Sequence, residues 1–495
     1  MTGPLPNQRE SGVLMHISSL PGRGGVGDLG DGTRRLLDWL AAAGQRWWQV
    51  LPLGPTGYGE SPYQALSMFA GNPMLVDLDA VGAGTPVFAG ADDHVDFAWQ
   101  RQHRLARLAD AARSFAVHAT GHERQRLDAF VAASPWLSDF TLFCALKQHF
   151  EERPWHLWPA PFATRDPAAL EAFRREHASA LQRYAVEQFW FHEQWLAVRQ
   201  YARAAGVSII GDIPIYVAHD SADVWCAPHL FDLDSTGNLN TVAGVPPDYF
   251  SATGQRWGNP LYRWDVHRAD DFAWWRSRLA HSVTQFDLVR IDHFRAFDSY
   301  WEIQADCPTA VDGSWREGPG IDFFDRVQHH LGALPLIAED LGMLTEGVHQ
   351  LRDRLGLPGM RVLQFGFDGQ GDNPHAPGNI GENVVCYTGT HDNDTSVGWY
   401  EQADAATRMR VDTTYDALAT GCAPADPAQR LISLAMASPA KLAMLPMQDV
   451  LGLGGEARMN TPGVVGGNWT WRASSGALNA NKAATLAQLT RYFER

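Results

Sequence analysis

Residues 286–294 read Phe-Asp-Leu-Val-Arg-Ile-Asp-His-Phe, a short apolar run that ends in charged and polar residues. Similar runs recur along the chain, with helical patterns and Gly or Pro breaks between them. They are nearly continuous rather than alternating, which is typical of strands covered on both faces. The predicted strands are residues 13–18, 47–53, 208–217, 286–294, 334–341, 362–367, 384–390 and 442–447.

Eight such strands with helices between them predict an α/β fold, a (β/α)8 TIM barrel with inserted helical and loop subdomains. We expect one catalytic barrel over residues 1–495, with a helix over 31–43 after the first strand. Residues 78–206 contain too much helical pattern for one crossover and predict an inserted, mostly helical subdomain. Residues 218–285 predict a second, loop-rich insert, which the family resemblance given below implies to cover the active site. Within it, residues 225–264 are rich in Gly, Pro, Asn and Asp and are expected to form a loop rather than a strand.

Composition and charge narrow the class of partner. The 495 residues include 40 Lys and Arg against 56 Asp and Glu, so the net charge is −16. An acidic surface repels phosphate backbones, which argues against nucleic acid as a partner. Five scattered cysteines without a CxxC pair, and a polar stretch over residues 1–12, favour a cytoplasmic protein. The most apolar stretch, residues 431–447, contains two prolines and a lysine, so no membrane span is expected.

Acidic side chains follow four of the predicted strands. Asp212, Asp292, Glu339 and Asp392 lie at or just after the ends of apolar runs. In a barrel the loops at the carboxyl ends of the strands converge on one pocket. Carboxylates gathered there repel each other, which raises at least one pKa and leaves one acid protonated while another is ionised. Cleavage of a glycosidic bond needs this division between an attacking carboxylate and a proton donor.

The neighbours of these acids suggest separate roles. Arg290 is two residues before Asp292, so in a strand it points to the same side and would keep Asp292 ionised. Glu339 follows only apolar residues, which favours a raised pKa. His293 and His391 are candidates to hydrogen-bond sugar hydroxyls. Two alternatives remain open: each acid alone could cap a helix or pair with an arginine, and His391, Asp392 and Asp394 could hold a cation.

Seven motifs, in order, resemble those of one family. They are Ser61-Pro-Tyr-Gln with Ala70-Gly-Asn-Pro, Gly211-Asp-Ile-Pro-Ile-Tyr, Gly244-Val-Pro-Pro-Asp-Tyr-Phe, Gly254-Gln-Arg-Trp-Gly-Asn-Pro, Arg290-Ile-Asp-His-Phe-Arg, Ala338-Glu-Asp-Leu-Gly and Gly389-Thr-His-Asp-Asn-Asp-Thr. The chain resembles the amylomaltases, the bacterial 4-alpha-glucanotransferase family (glycoside hydrolase family 77) related to the alpha-amylase clan. The resemblance runs from Gly12 to about Trp471. Ala296 and Glu346 depart from the usual Gly and Pro, but neither is at a chemical position.

The resemblance implies a role for each acid. Asp292 matches the nucleophile, Glu339 the general acid/base, and Asp392 the third carboxylate, which holds sugar hydroxyls and favours the distorted ring. Further residues match positions that line the cleaved bond, cover the glucan or belong to a C-terminal binding segment. They are Tyr63, Asp212, Asp248, Tyr249, Phe250, Gln255, Trp257, Arg290, His293, His391, Asn460 and Asn468.

The resemblance also implies the partners. The expected substrates are maltooligosaccharides and alpha-1,4-glucans, with no metal or organic cofactor. We expect a monomer or weak homodimer. The carboxylates do not decide between transfer and hydrolysis, because both use the same intermediate and only the acceptor differs. An alpha-1,4-glucan hydrolase and a glucan-binding protein without catalysis therefore stay open as alternatives.

The loop over residues 244–260 is a predicted apolar lid that excludes water and so favours a sugar acceptor. Replacing Tyr249 or Phe250 by Ser is expected to shift products towards hydrolysis. The ratio of transferred to hydrolysed glucan, measured by chromatography of the products, checks this. Unchanged ratios in both variants would contradict the lid.

Overall fold

Eight parallel strands form the central sheet of the computed structural model, which describes residues 4–247, 251–418, 426–464 and 466–495. They fall within or beside the eight predicted runs. The bounds of these strands are β1 Glu10–Leu14, β2 Trp47–Gln49, β3 Ser208–Ile213, β6 Leu288–Ile291, β9 Leu336–Ala338, β10 Gly359–Val362, β11 Val384–Tyr387 and β12 Leu442–Pro446. Four intervening strands, numbered in chain order with these, belong to a second sheet that is described below.

The eight strands curl into a nearly closed barrel, in the order β10, β11, β12, β1, β2, β3, β6, β9. Backbone groups bridge the remaining gap, since Ala338 N–H donates to Pro358 O at 2.9 Å. The buried Asp340 carboxylate adds a second link by accepting from Met360 N–H at 2.6 Å. The predicted barrel is therefore confirmed. The run 362–367 was placed too late in the chain, because β10 begins at a glycine and contains Arg361, which hides the strand pattern.

Alternate residues of each strand point into the barrel. Ile210, Leu288, Ile337, Val385 and Met444 belong to one buried inner cluster, while their neighbours pack outwards against the helices. Residues two or four positions further along a strand point to the same side. The acids at the strand ends therefore face the interior of the barrel, as the inner cluster does.

The helices surround the barrel and fill the insert between β2 and β3. Helix α1 runs over Asp31–Ala42, close to the predicted 31–43, and is followed by Gly44 in the left-handed region, as expected of a helix stop. The other α-helices are α2 Phe97–Trp99, α3 Ala106–His118, α4 Gly121–Ala133, α5 Leu137–His149, α6 Ala160–Ala163, α7 Pro167–Glu176, α8 Ala178–Ala204, α9 Ala222–Cys226, α10 Trp264–Ala269, α11 Ala273–Gln285, α12 Gly320–Leu331, α13 Glu346–Arg354, α14 Ser396–Gln402, α15 Ala405–Leu418, α16 Pro427–Ala437, α17 Met447–Leu451 and α18 Ala480–Tyr492.

The interval 78–206 contains α2 to α8, and its helical character was predicted from the apolar stripes. A π-helical run, Gln100–Leu105, joins α2 to α3. A capping box starts α4, because Thr120 accepts from Glu123 N–H while the Glu123 carboxylate accepts from Thr120 N–H. The division of the chain into inserts over 78–206 and 218–285 stays a prediction.

The expectation that residues 225–264 form a loop without strands is wrong. The segment contains β4, Thr241–Val245, and β5, Gln255–Pro260. They join β7, Ser299–Gln304, and β8, Gly313–Glu317, in an antiparallel sheet of order β5, β4, β7, β8. β5 and β8 are polar, and a glycine interrupts β4 and β5, so no regular apolar alternation marks this sheet. The sheet is stabilised by pairing between its strands and by a small buried cluster of Val242, Ile303 and Ala310.

Two further features concern the described part of the chain. No single helix in it is long and apolar enough to cross a membrane, although one pair, α4 with α5, passes that test jointly across a bend of 99°. Cys144, Cys226, Cys307 and Cys386 are free thiols.

Asp340 joins β9 to β10 at the gap in the barrel, so its loss is expected to destabilise the protein strongly. Its buried carboxylate contacts Arg352 at 2.5 Å and Arg361 at 3.3 Å, besides Met360 N–H. Asp340→Ala leaves these donors without their acceptor and is expected to lower the free energy of unfolding by about 3–5 kcal/mol. Urea unfolding followed by circular dichroism measures this loss.

The matched control uses the other partner of the same arginine. Asp353, 65% exposed, accepts from Arg352 at 2.7 Å. Asp353→Ala is expected to change the free energy of unfolding by less than about 1 kcal/mol, because solvent screens an exposed pair. Equal losses in the two variants would refute the role of Asp340 in closing the barrel.

Candidate active site

The strand ends bring the predicted acids together at one end of the barrel. Asp212 lies in β3 directly opposite Arg290 in β6, and Ile291 lies opposite Ala338 in β9. Asp292 and Glu339 are the next residues on these two neighbouring strands. Both acids follow the inward-facing period of their strands, so both point towards the barrel mouth.

A buried guanidinium holds two of the acids. Arg290 Nη1 lies 2.8 Å from both carboxylate oxygens of Asp212 and 3.0 Å from Asp292 Oδ1. Arg290 and Asp212 are almost fully buried, whereas the Asp292 side chain is 28% exposed. The arginine therefore anchors Asp292 from below and leaves part of its carboxylate open to the cleft.

Glu339 is held by backbone donors rather than by side chains. Its Oε2 accepts from His293 N–H at 2.6 Å, and its Oε1 accepts from Leu341 N–H at 2.8 Å. His293 has φ of 51°, in the left-handed region, which turns its N–H away from the strand ladder. In this turn after β6, the backbone N–H of the residue that follows Asp292 therefore contacts the carboxylate of Glu339.

Burial raises the pKa of both carboxyls. The pKa of Glu339 rises to about 7, because loss of solvent outweighs the attraction of Arg290 and the two backbone donors. The pKa of Asp292 rises to about 6. Arg290 does lower the pKa of Asp292, as expected, but burial and the carboxylate of Asp212 outweigh it. The two carboxyls lie at the ends of neighbouring strands, so the ionisation of each affects that of the other.

Asp392 lies on the loop after β11 and is oriented by the C-terminal segment. Its Oδ1 accepts from Asn460 Nδ2 at 2.6 Å, and its carbonyl accepts from Arg458 at 2.7 Å. His391 Nε2 lies 3.4 Å from its other oxygen, Oδ2. Asn460 N–H in turn donates to His391 O at 3.1 Å, so the two loops are tied together.

Aromatic rings form one wall of the site. The Tyr63 ring stacks on His391 with centroids 5.0 Å apart, and its hydroxyl donates to Asp212 Oδ2 at 2.8 Å. Trp469 packs against both rings, at 5.8 Å from Tyr63 and 5.9 Å from His391. Tyr63 therefore links the Arg290 cluster to the Asp392 loop.

Strand β5 contributes the opposite side. The Trp257 ring meets His293 edge-on with centroids 4.8 Å apart, and Trp257 Nε1 donates to Gln255 Oε1 at 3.1 Å. Burial lowers the pKa of His293 to about 3, so its imidazole is neutral and can both donate and accept hydrogen bonds.

Four predicted binding residues are not joined to this cluster by the contacts above. Asp248, Tyr249 and Phe250 lie outside the described residues. Asn468 uses its side chain on its own loop, accepting from Thr461 N–H at 3.0 Å and donating to Val464 O at 2.9 Å. Its binding role stays a prediction.

Two residues of this site were missed by the sequence reasoning. Trp469 and Arg458 flank the predicted Asn460 and Asn468 in the chain. Trp469 has φ of 66° and is buried against Tyr63, and Arg458 fixes the carbonyl of Asp392. No strand directly precedes them, so neither belongs to the pattern of a polar residue after an apolar run.

The alternative of a cation site among His391, Asp392 and Asp394 is not supported by the geometry. Asp394 turns away from Asp392, accepting from Thr395 N–H at 2.8 Å and from Gln402 at 2.9 Å. Among the described residues, no group of three or more His, Cys, Asp or Glu side chains is arranged to hold a metal ion.

Comparison with known proteins gives one consistent result. A family model described as 4-alpha-glucanotransferase matches residues 15–478. The 4-alpha-glucanotransferase of Thermus thermophilus is 47% identical, over 98% of this chain and 99% of the relative. That of Synechocystis is 42% identical, over 99% and 98%. The solved amylomaltase of Streptococcus agalactiae in complex with acarbose superposes with a TM-score of 0.95 at 37% identity, over 99% and 100%.

The raised pKa values of both acids predict a shifted pH profile. With Asp292 as the attacking carboxylate and Glu339 as the proton donor, the roles predicted from the sequence, kcat/KM is expected to fall on the acid side near pH 6, as Asp292 takes up a proton, and on the basic side near pH 7, as Glu339 loses one. Arg290→Gln removes a cation that lowers the pKa of Asp292, so the acid limb of the profile should move to higher pH. Asp212→Asn removes an anion that raises this pKa, so the acid limb should move to lower pH. Initial rates between pH 4 and 9, a range of roughly two units beyond each limb, measure both. Shifts in the same direction would refute this electrostatic assignment.

Proposed function

Because the chain belongs to the 4-alpha-glucanotransferase family, we propose that it transfers alpha-1,4-glucan segments to the 4-hydroxyl of an acceptor glucose or glucan. The proposed chemistry is a retaining double displacement through a covalent glycosyl-enzyme. The observation that carries it is the pair of buried carboxyls at the ends of the neighbouring strands β6 and β9, Asp292 and Glu339, both with raised pKa values.

In the first step Asp292 attacks the anomeric carbon of the donor. The bond to the departing oxygen breaks, and Glu339 gives its proton to that oxygen. Arg290 supports this step because it holds the Asp292 carboxylate in place at 3.0 Å through Oδ1. The two backbone donors on Glu339 fix its carboxyl at the other side of the bond.

In the second step the acceptor's 4-hydroxyl enters the position that the first sugar left. Glu339, now ionised, removes the hydroxyl proton while the oxygen attacks the anomeric carbon and releases Asp292. Two inversions give net retention. The neighbouring charge matters in both steps, since consumption of the Asp292 anion in the covalent bond lowers the pKa of Glu339 and prepares it to act as a base.

The remaining residues are proposed to bind the sugar at the cleaved bond. Asp392, oriented by Asn460, accepts from ring hydroxyls and favours the distorted ring. The neutral His293 and the His391 ring offer further hydrogen bonds. Tyr63 and Trp257 provide apolar faces at two sides of the site. Gln255 fixes the indole of Trp257, and Asp212 acts on Asp292 through Arg290.

Transfer is favoured over hydrolysis where water is excluded and a sugar acceptor binds well. The aromatic wall of Tyr63, His391 and Trp469 and the indole of Trp257 support such exclusion. A cytoplasmic location and a monomeric or weakly dimeric state are proposed with the function.

Incubation with pure maltotriose tests the proposed reaction. Glucose and longer oligosaccharides should appear together while the total of reducing ends stays constant. A rise in reducing ends without longer chains would make the protein an alpha-1,4-glucan hydrolase. No product from either maltotriose or maltoheptaose would favour a glucan-binding protein without catalysis.

The role of Glu339 is tested with a donor that needs no proton. Glu339→Gln is expected to lower the rate with maltotriose by roughly 10²- to 10⁴-fold, the usual contribution of a general acid. With alpha-maltosyl fluoride, whose leaving group departs unprotonated, the variant should still release a burst of fluoride as the glycosyl-enzyme forms. A fluoride electrode and product chromatography measure the two rates.

Glu346→Gln is the matched control, since Glu346 is an exposed glutamate seven positions further along the chain. It should retain the parent rate with both donors. Near-normal turnover of maltotriose by Glu339→Gln would refute Glu339 as the acid.

A further inference from the structure

A second cavity, separate from the carboxylates, lies between helices α4, α5, α9 and α11 and the loop over residues 67–69. Its volume is about 500 Å³. Sites for small organic ligands span ~300–1,000 Å³, so this cavity is large enough for a ligand of more than one ring. Nothing in the reaction described above uses it.

Aromatic rings from three parts of the chain line this cavity. Phe69 stacks against Trp136 with centroids 6.4 Å apart, and it meets Trp274 edge-on at 6.4 Å. His281 packs at 5.5 Å from Phe69 and at 6.2 Å from Trp136. Trp136 and Trp274 are only half-buried, so indole surface remains exposed inside the cavity. Such rings offer flat apolar faces on which the C–H face of a pyranose can stack.

The polar groups at the cavity are acceptors whose charge is already balanced. Asp139 accepts from Arg165 at 2.7 Å, and Arg174 lies 3.9 Å away. Asp223 accepts from Met68 N–H at 2.9 Å, and burial raises its pKa to about 6 although the nearby Arg278 lowers it. Asp139 is paired with Arg165 and Asp223 lies near Arg278, so the attraction of these carboxylates for an organic cation is weakened. The net charge of −16 disfavours an anion. A neutral ligand with hydroxyl groups fits these conditions.

We propose that this cavity is a non-catalytic saccharide site that binds a short stretch of alpha-glucan on Trp136 and Trp274, with hydroxyls directed to Asp139. The alpha-glucan identity of the saccharide rests on the proposed function. The site holds part of a long donor or acceptor chain, so it acts on affinity for long glucans and not on the bond-breaking step.

The cavity is mechanically connected to the reacting end of the barrel. Met68, whose N–H donates to Asp223, is five residues after Tyr63 on the same loop. Arg278 contacts Met68 Sδ at 3.3 Å, and it donates to Ile215 O at 3.1 Å and to Pro214 O, directly after β3. A ligand that settles against Phe69 therefore stabilises the loop that also carries Tyr63.

Calorimetric titration with maltoheptaose tests the site, in a Glu339→Gln background that prevents turnover. A second binding event besides that of the active site is expected. Adding Trp136→Ala should remove it or weaken it by roughly tenfold or more, because the aromatic anchor is lost. Adding Trp315→Ala instead, which truncates a tryptophan 43% exposed on β8, should leave both events unchanged.

Ser277→Trp provides a second variant that removes no core group, because Ser277 lies on the exposed rim of the cavity. It should block the second event by filling the space. In the enzyme with intact Glu339, both cavity variants should keep the rate with maltotriose while KM for amylose rises several-fold. A single binding event in the Glu339→Gln background, or a second one that survives both cavity variants, would overturn the proposal. Failure of maltotriose transfer by the unmodified protein would instead refute the proposed function.

Discussion

The guanidinium of Arg290 is the constraint on which the site depends. It is buried at the end of β6 and reaches Asp212 on the neighbouring strand and Asp292 on its own. Without it, two carboxylates would be buried side by side with no counter-charge, which costs several kcal/mol per ion. With Arg290 present, Asp212 is buried as its ion-pair partner, and Asp292 contacts it while part of the Asp292 carboxylate stays exposed to the cleft. The barrel supplies this geometry, because adjacent parallel strands place residues of equal register at equal height.

The difference between the two central acids comes from their surroundings more than from their type. Glu339 receives two backbone hydrogen bonds, which favour the ionised form, yet burial raises its pKa. Asp292 touches the arginine directly, and burial raises its pKa despite that cation. The left-handed backbone of His293 lets its N–H donate to Glu339. The Glu339 carboxyl therefore gains a hydrogen bond without a full positive charge beside it. A full positive charge in place of that N–H would hold Glu339 ionised, which would conflict with the proposed role of Glu339 as proton donor.

The sequence predicted those parts of the molecule whose physics is local. Buried parallel strands are continuous apolar runs, so all eight were found, and the acids that follow them identified Asp212, Asp292, Glu339 and Asp392. The strands β4, β5, β7 and β8 were not found, because all four depend on pairing with distant segments, and Gln255–Pro260 and Gly313–Glu317 also lack an apolar face. Trp469 and Arg458 were missed for the same reason: only the tertiary fold brings the C-terminal loop to Asp392. The raised pKa of Asp292 likewise results from burial in the folded protein, which its neighbours in the sequence do not indicate.

One loop, residues 61–71, takes part in both the reacting site and the second cavity. Tyr63 near its start bonds Asp212, and Phe69 near its end packs against Trp136 and Trp274. Its far end is fixed by Gln188, which both accepts from Gly71 N–H and donates to Gly71 O at 2.8 Å. A ligand bound at either end adds contacts to this loop, and any effect of one end on the other is reciprocal by thermodynamic linkage. A glucan long enough to reach both ends would then gain more affinity than the two separate contacts supply, since its second contact is intramolecular. Preference for long chains can therefore arise in this fold without any change at Asp292 or Glu339.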